Sequence, residues 1–175
     1  INDIIVLKNN KGSEDNRVRK LDYSIQLSKL FYERFIANED ITLFSPHEVP
    51  ELYDTWGTDE FDDLYLKAER KTSVSKTKIN AQELFFDILK ERAETGRIYI
   101  MNIDHCNTHS SFKDRVYMSN LCQEITLPTD PIQHIDQEGE IALCILSAIN
   151  VGLINKRDEL EPLCDLAVRA LDEII

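Results

Sequence analysis

Basic residues and long apolar runs are both scarce in this chain of 175 residues, in which 20 Lys and Arg against 32 Asp and Glu give a formal net charge of −12. A duplex-binding surface needs clustered Lys and Arg, so nucleic acid is not an expected partner. A small anionic metabolite stays compatible, because a local pocket can oppose the overall sign. No apolar run approaches the roughly 20 residues that span a bilayer, and no secretory leader is present. We therefore expect a cytoplasmic protein with no membrane contact.

Cysteine is also sparse. The four cysteines, at positions 106, 122, 144 and 164, are too widely spaced to resemble a secreted disulfide framework. We expect free thiols, some of them reactive. The sequence contains no Gly-rich phosphate loop, so nothing in it marks a nucleotide cradle. A hydrophobic content of 42% and a charged content of 30% are those of a globular protein with a core.

The most informative stretch is Asn120–Glu124, which carries an amide, a thiol and a carboxyl at every second position, on Asn120, Cys122 and Glu124. In an extended segment such side chains share one face and lie about 7 Å apart. One small polar molecule could then contact an amide, a sulfur and a base together. A carboxylate beside a thiol can accept a substrate proton. The alternative is a loop whose polar groups flank a buried cysteine that packs as a small hydrophobe.

A second cysteine of interest, Cys144, ends the strand-like run Gly139–Cys144. The apolar character of that run predicts a buried, rigid thiol, and we expect the run to face the Asn120–Glu124 stretch. Core packing is the alternative role for Cys144. It is the expected role for Cys164, which lies in an amphipathic helix.

A different hypothesis is a zinc site made by His105, Cys106 and His109, because imidazole and thiolate ligands suit zinc. The motif has no accompanying Cys-x-x-Cys pair and no glutamate between the histidines, as a hydrolytic metal motif requires. The alternative is a structural loop in which the histidines are hydrogen-bonded to backbone.

Hydrophobic periodicity predicts an α/β chain. The predicted helices are the end of one at Asp3–Gly12, then Tyr23–Ile36, Pro50–Tyr53, about Asp59–Arg70, Asn80–Thr95 and about Asp158–Ile174. The predicted strands are Ile41–Phe44, Arg97–Asn102 and the start of the apolar run Ile141–Leu153. The segments 13–20, 71–78 and 104–118 are predicted to be loops or connectors.

Several segments together resemble one family. Ser119–Ile125 followed by Gly139–Cys144 resembles the catalytic core of the large (alpha) subunit of class I ribonucleotide reductase. Further similar segments occur in family order at Leu7–Asn10, Asp40–Pro46, Thr95–Ile100 and Asp104–His109. The resemblance implies an α/β fold that is part of a ten-stranded α/β barrel with a central finger loop. Residues 1–175 are then a segment of a single catalytic barrel domain.

The resemblance also implies roles for four residues in making 2′-deoxyribonucleoside diphosphates for DNA synthesis. Cys122 would be a thiyl radical at the loop tip that removes the 3′ hydrogen of a ribonucleoside diphosphate, and Glu124 would be the base on the 3′ hydroxyl. Asn120 would hold the ribose hydroxyls, so these three residues would bind substrate. Cys144 would supply reducing electrons by forming a disulfide with a cysteine outside this chain, later reset by thioredoxin or glutaredoxin.

The remaining family parts are expected outside this chain. They are an N-terminal ATP cone, the loops that bind ATP and dNTP effectors, the C-terminal part of the barrel, and the tyrosines that carry the radical from a metal-containing small subunit. A start at Ile1 rather than Met and an apolar end at Ile175 likewise predict a piece of a longer polypeptide. We expect no metal or cofactor in the chain itself, with the small subunit and the rest of the large subunit as partners. Alone, the segment is expected to be inactive. The alternative function is a non-catalytic assembly or binding fragment of the same fold.

Overall fold

The computed structural model describes residues 1–9, 11, 15, 18, 20–132 and 134–175. The chain divides into two compact units, Ile1–Pro128 and Thr129–Ile175. The predicted helix end at Asn10 and Gly12 and most of the predicted loop at 13–20 lie outside the described residues. None of the described helices is both long and apolar enough to cross a membrane.

Helices and strands are interspersed along the first unit, which is a mixed α/β structure as predicted. In chain order its elements are α1 (Asn2–Ile5), β1 (Ser24–Leu27), α2 (Lys29–Ala37), β2 (Asp40–Phe44), α3 (Pro50–Asp54), α4 (Asp59–Arg70), β3 (Lys76–Asn80), α5 (Ala81–Thr95), β4 (Tyr99–Asn102) and α6 (Ile103–Thr108). The predictions of β2, α3, α4, α5 and β4 are confirmed.

The strands form two separate pairs. Strands β1 and β4 are parallel, with register from Ser24 opposite Tyr99 to Leu27 opposite Asn102. Strands β2 and β3 are antiparallel, with Asp40 opposite Asn80 at one end. Parallel neighbours need a long crossover connection, and here the connection between β1 and β4 contains the whole antiparallel pair and α5.

Four predicted boundaries are wrong. The helix predicted over Asp3–Gly12 ends at Ile5. The helix predicted over Tyr23–Ile36 begins only at Lys29, because residues 24–27 pair with a strand that lies far along the chain. Its N-cap is Ser28, whose hydroxyl accepts a hydrogen bond from the Phe31 N–H at 3.3 Å. The connector predicted over 71–78 ends in β3, and the loop predicted over 104–118 begins inside α6.

Helix α5 is the best example of a helix specified by its local sequence. The Asn80 side chain caps its start by accepting from the backbone of Gln82 at 3.0 Å and Glu83 at 3.2 Å. Gly96 ends it in the left-handed conformation, with φ +67°. Leu84 and Ile88 are fully buried in the core, whereas the neighbouring Leu89 is 37% exposed.

The second unit contains two short 3₁₀ turns, Val151–Leu153 and Arg157–Glu159, followed by α7 (Leu160–Asp172). The prediction of α7 is confirmed. The predicted buried strand at the start of 141–153 is wrong, because residues 141–150 pair with no strand among the described residues and most of their side chains are exposed. A strand needs a hydrogen-bonded neighbour, and apolar character alone does not supply one.

Candidate active site

The candidate loop starts from residues 115–117, each of which is held by a different side-chain contact. The Arg115 guanidinium donates hydrogen bonds to the carbonyl oxygens of Asp54 and Trp56, and it lies 4.4 Å from the centre of the Tyr117 ring. These contacts tie the residue to the turn that joins α3 to α4. Stacking of a guanidinium on an aromatic ring adds to the electrostatic attraction.

Val116 is held by the Asn107 carboxamide. The Val116 N–H donates to Asn107 Oδ1 at 2.8 Å, and Asn107 Nδ2 donates to the Val116 carbonyl at 3.1 Å and to the Ile103 carbonyl at 3.2 Å. One side chain thus satisfies both backbone polar groups of Val116, as a neighbouring strand would. The Val116 side chain is fully buried against Met101 and Ile103.

Tyr117 is held through a short relay. Trp56 Nε1 donates to Gln26 Oε1 at 2.6 Å, and Gln26 Nε2 donates to the Tyr117 carbonyl at 2.9 Å. Gln26 lies on β1, so the relay connects the loop base to the parallel sheet. The loop therefore leaves the body of the unit from a fixed position.

Beyond this base, Asn120–Ile125 closes into a turn rather than an extended strand. Asn120 N–H donates to the Ile125 carbonyl at 3.3 Å, the Ile125 N–H donates to Asn120 Oδ1 at 3.0 Å, and the Gln123 N–H donates to the Asn120 carbonyl at 3.2 Å. Gln123 adopts the left-handed conformation, with φ +68°. The predicted extended segment is therefore wrong, because Asn120 Oδ1 accepts from a backbone N–H five residues further on and closes the segment into a turn.

The turn leaves Asn120, Cys122 and Glu124 exposed. The alternative of a buried Cys122 that only packs is therefore wrong for the described chain. The Oδ1 atom of Asn120 is used inside the turn, whereas its Nδ2 atom has no hydrogen-bond partner in the part of the chain that is described. An amide donor, a thiol and a carboxylate are thus available at one loop tip.

Gln123 points the other way, into a cavity of about 380 Å³. Its Nε2 atom is buried and has no hydrogen-bond partner among the described residues. The cavity is also lined by His105, Cys106 and His109 of α6 and its end. The side chain between Cys122 and Glu124 is therefore the one that faces inward.

Cys144 is exposed and lies in the second unit, outside any strand or helix. The prediction of a buried, rigid thiol is wrong, for the same reason as the strand around it. The expectation that Cys144 faces the Asn120–Glu124 stretch stays a prediction. Cys164, predicted to pack in a core, is exposed on α7, because the described residues of its own unit do not cover that helix.

The zinc hypothesis finds no support. His105 and His109 lie one helical turn apart, with ring centres 5.2 Å apart, but Cys106 packs beside Met101, Ile103 and Val116. Burial raises the pKa of the Cys106 thiol, which disfavours the thiolate that binds zinc. Within residues 1–9, 11, 15, 18, 20–132 and 134–175, no group of three His, Cys, Asp or Glu side chains is arranged to hold a metal ion.

Sequence reasoning did not identify Gln26, Asn107 or Arg115, which hold the base of the loop. For Asn107 a signal exists, since it lies within Asp104–His109, a segment that resembles the family, although only the histidines and the cysteine of that segment suggest a role. For Gln26 and Arg115 there was none, because each acts on backbone atoms distant in sequence.

A mixed α/β unit that presents a thiol beside a carboxylate on a braced loop has the features of an enzyme active-site segment. The model of the family "Ribonucleotide reductase, barrel domain" matches residues 1–175. The chain belongs to this family, which bears out the resemblance found in its sequence.

Its relatives include three proteins named ribonucleoside-diphosphate reductase subunit alpha. The chain is 52% identical to that of Buchnera aphidicola subsp. Schizaphis graminum, with 100% of the chain covered. It is 55% identical to that of Haemophilus influenzae over 98% of the chain, and 42% identical to that of Enterobacteria phage T4 over 100% of the chain. In each case the match covers 24% of the relative. The chain thus spans about a quarter of the length of these curated relatives.

Proposed function

We propose that this chain supplies the finger loop of a ten-stranded α/β barrel in a ribonucleoside-diphosphate reductase, which reduces ribonucleoside diphosphates to 2′-deoxyribonucleoside diphosphates. The observation that carries the proposal is the closed turn Asn120–Ile125, which exposes the Cys122 thiol and the Glu124 carboxylate. Membership of the barrel-domain family and the names of the relatives support it. The other strands of the barrel, and the effector sites, belong to the flanking polypeptide.

The chemistry begins at Cys122. As a thiyl radical it takes a hydrogen atom from C3′ of the ribose, so an S–H bond forms, the C3′–H bond breaks and the unpaired electron moves to C3′. Glu124 accepts the proton of the 3′ hydroxyl, which promotes departure of the C2′ hydroxyl as water once that hydroxyl has taken a proton from one of the two thiols of the reductive half. Asn120 holds the ribose through Nδ2, since its Oδ1 is used by the Ile125 N–H. The radical is supplied by the partner small subunit.

Cys144 serves the reductive half of the reaction. Together with a second cysteine of the flanking polypeptide it gives two electrons and two protons and forms one disulfide bond, while the ribose loses one oxygen as water. Cys122 then returns its hydrogen atom to C3′ and becomes a thiyl radical again, and Glu124 returns its proton to the 3′ oxygen. A dithiol of the thioredoxin or glutaredoxin type reduces this disulfide by exchange. An exposed thiol suits such an exchange, because the attacking thiolate needs access to the sulfur.

The proposal is tested in the complete alpha subunit that contains this segment, mixed with its small subunit and a dithiol reductant. Separation of nucleotides by chromatography measures the formation of deoxyribonucleoside diphosphate. We expect Glu124→Ala to lower kcat strongly with little change in KM, because the carboxylate acts mainly in the transition state. Glu138→Ala, at an exposed glutamate of the second unit, is the control and should keep both parameters. Absence of reduction by the unmodified enzyme, or equal losses for both variants, would contradict the proposal.

A further inference from the structure

Three consecutive residues before the candidate loop are each tied by a side-chain hydrogen bond to a different part of the unit. Arg115 is tied to the turn after α3, Val116 to α6 through Asn107, and Tyr117 to β1 through Gln26. Asn120 follows Tyr117 by only three residues. The position of the turn that carries Cys122 is therefore set by these anchors.

Asn107 is the central anchor, because its contacts are the most complete and the least exposed. It accepts from and donates to the same residue, Val116, whose side chain has no exposed surface. Its immediate neighbour is Gly57, where an added Cβ would come within 3.0 Å of Asn107 Nδ2. A side chain at position 57 would therefore crowd the carboxamide.

We propose that Asn107 is a positioning residue, which fixes Val116 and thereby places the Cys122 thiol and the Glu124 carboxylate for reaction. This role rests on the proposed function, since it concerns the geometry of that reaction. The turn itself is closed by bonds of Asn120 and does not depend on Asn107. Loss of Asn107 therefore shifts the turn as a body and leaves its internal hydrogen bonds in place.

The test uses the complete alpha subunit with its small subunit and compares Asn107→Ala with Asn107→Asp. Alanine removes all three hydrogen bonds, whereas aspartate keeps the oxygen that accepts from the Val116 N–H. Because a misplacement of about 1 Å can cost about 100-fold in rate, we expect Asn107→Ala to lower kcat by about tenfold to 100-fold with KM nearly unchanged. Asn107→Asp should fall between Asn107→Ala and the unmodified enzyme.

Two further readouts separate positioning from simple loss of folded protein. With substrate deuterated at C3′, the isotope effect on kcat should increase in Asn107→Ala, since a displaced thiol makes hydrogen transfer slower than the other steps. Hydrogen exchange at the Val116 amide should accelerate in the same variant, while exchange at the Gln123 and Ile125 amides stays as in the unmodified protein.

Gln26→Glu is a second variant, which perturbs the base of the loop at Tyr117 instead of at Val116. It keeps the acceptor for Trp56 and loses the donor to the Tyr117 carbonyl, so a smaller fall in kcat is expected. Gln82→Ala is the matched control: it removes an amide-to-backbone bond of 2.9 Å, to the Phe35 carbonyl, that joins α5 to α2. It should change neither kcat nor the isotope effect.

Faster exchange at Val116 with unchanged kcat and isotope effect in Asn107→Ala would overturn the positioning role and leave the proposed function standing. So would unchanged exchange at Val116. If Asn107→Ala does not fold, the same kinetic comparison between Asn107→Asp and Gln82→Ala decides, and equal kcat in these two overturns the role. Absence of any diphosphate reduction by the unmodified enzyme would instead refute the proposed function, and the positioning role with it.

Discussion

Gly57→Ala should destabilise the first unit more than Gly96→Ala, although both glycines have positive φ. The φ values are +79° for Gly57 and +67° for Gly96. An alanine in the left-handed region costs about 1–2 kcal/mol. Gly96→Ala adds only this cost, because beyond the two adjacent residues no atom of the described chain lies within 4 Å of the added Cβ. At Gly57 the Cβ would lie 2.5 Å from Cγ1 of Ile103, which is fully buried.

Overpacking of such a site costs about 1–3 kcal/mol. The expected loss of unfolding free energy is thus about 2–5 kcal/mol for Gly57→Ala and about 1–2 kcal/mol for Gly96→Ala. Urea unfolding of the purified chain measures both. The single tryptophan, Trp56, is a suitable fluorescent probe, since it precedes Gly57 and its ring centre lies 4.7 Å from that of Phe61. Equal losses in the two variants would refute the steric reasoning.

Two further predictions concern stability. Tyr65→Phe should lower the free energy of unfolding by about 1–3 kcal/mol, because in a buried site the Tyr65 hydroxyl accepts from the Thr42 N–H at 2.6 Å and donates to the Thr42 carbonyl at 2.8 Å. Urea unfolding measures this loss. Tyr53→Phe, at a tyrosine that is 78% exposed, is the control, and an equal loss in both variants would contradict the prediction. The hydrogen bond from Lys8 at 2.9 Å and the nearby Arg97 hold the pKa of Asp22 below its usual value. The ionised Asp22 carboxylate therefore stabilises the fold at any pH above the usual pKa of an aspartate, and this stabilisation is lost as the pH falls through the lowered pKa of the folded protein. Asp22→Asn should therefore have a lower midpoint of thermal unfolding than the unmodified protein at neutral pH. The difference between the two midpoints should narrow below about pH 4, and a difference that does not change with pH would contradict the prediction.

Local signals were sufficient for those elements whose ends are made by their own residues. Helix α5 is an example, since Asn80 and Gly96 supply both caps within the sequence of the helix itself. Strand β1 is a counterexample: residues 24–27 continue the helical spacing of α2, and only pairing with β4, some 75 residues further on, makes them a strand.

The candidate site was predictable in its residue types but not in its geometry. Asn120, Cys122 and Glu124 were identified from their spacing and from the family resemblance, and the structure exposes all three at one loop tip. Their spacing suggested a strand, whereas the Asn120 side chain folds the segment into a turn. The bracing by Gln26 depends on a contact that spans 91 residues, and no local pattern predicts it. Asn107 lies 9 residues from Val116 in a segment that resembles the family, but that resemblance does not indicate its contact with Val116.

The central claim is that the sulfur of Cys122 takes part in the reaction. The most direct measurement is product formation in the complete alpha subunit with its small subunit, comparing Cys122→Ser with Cys164→Ser. Both cysteines are exposed, so the two substitutions are chemically matched. The account predicts no deoxyribonucleoside diphosphate from Cys122→Ser and undiminished product from Cys164→Ser. Continued reduction by Cys122→Ser would contradict it.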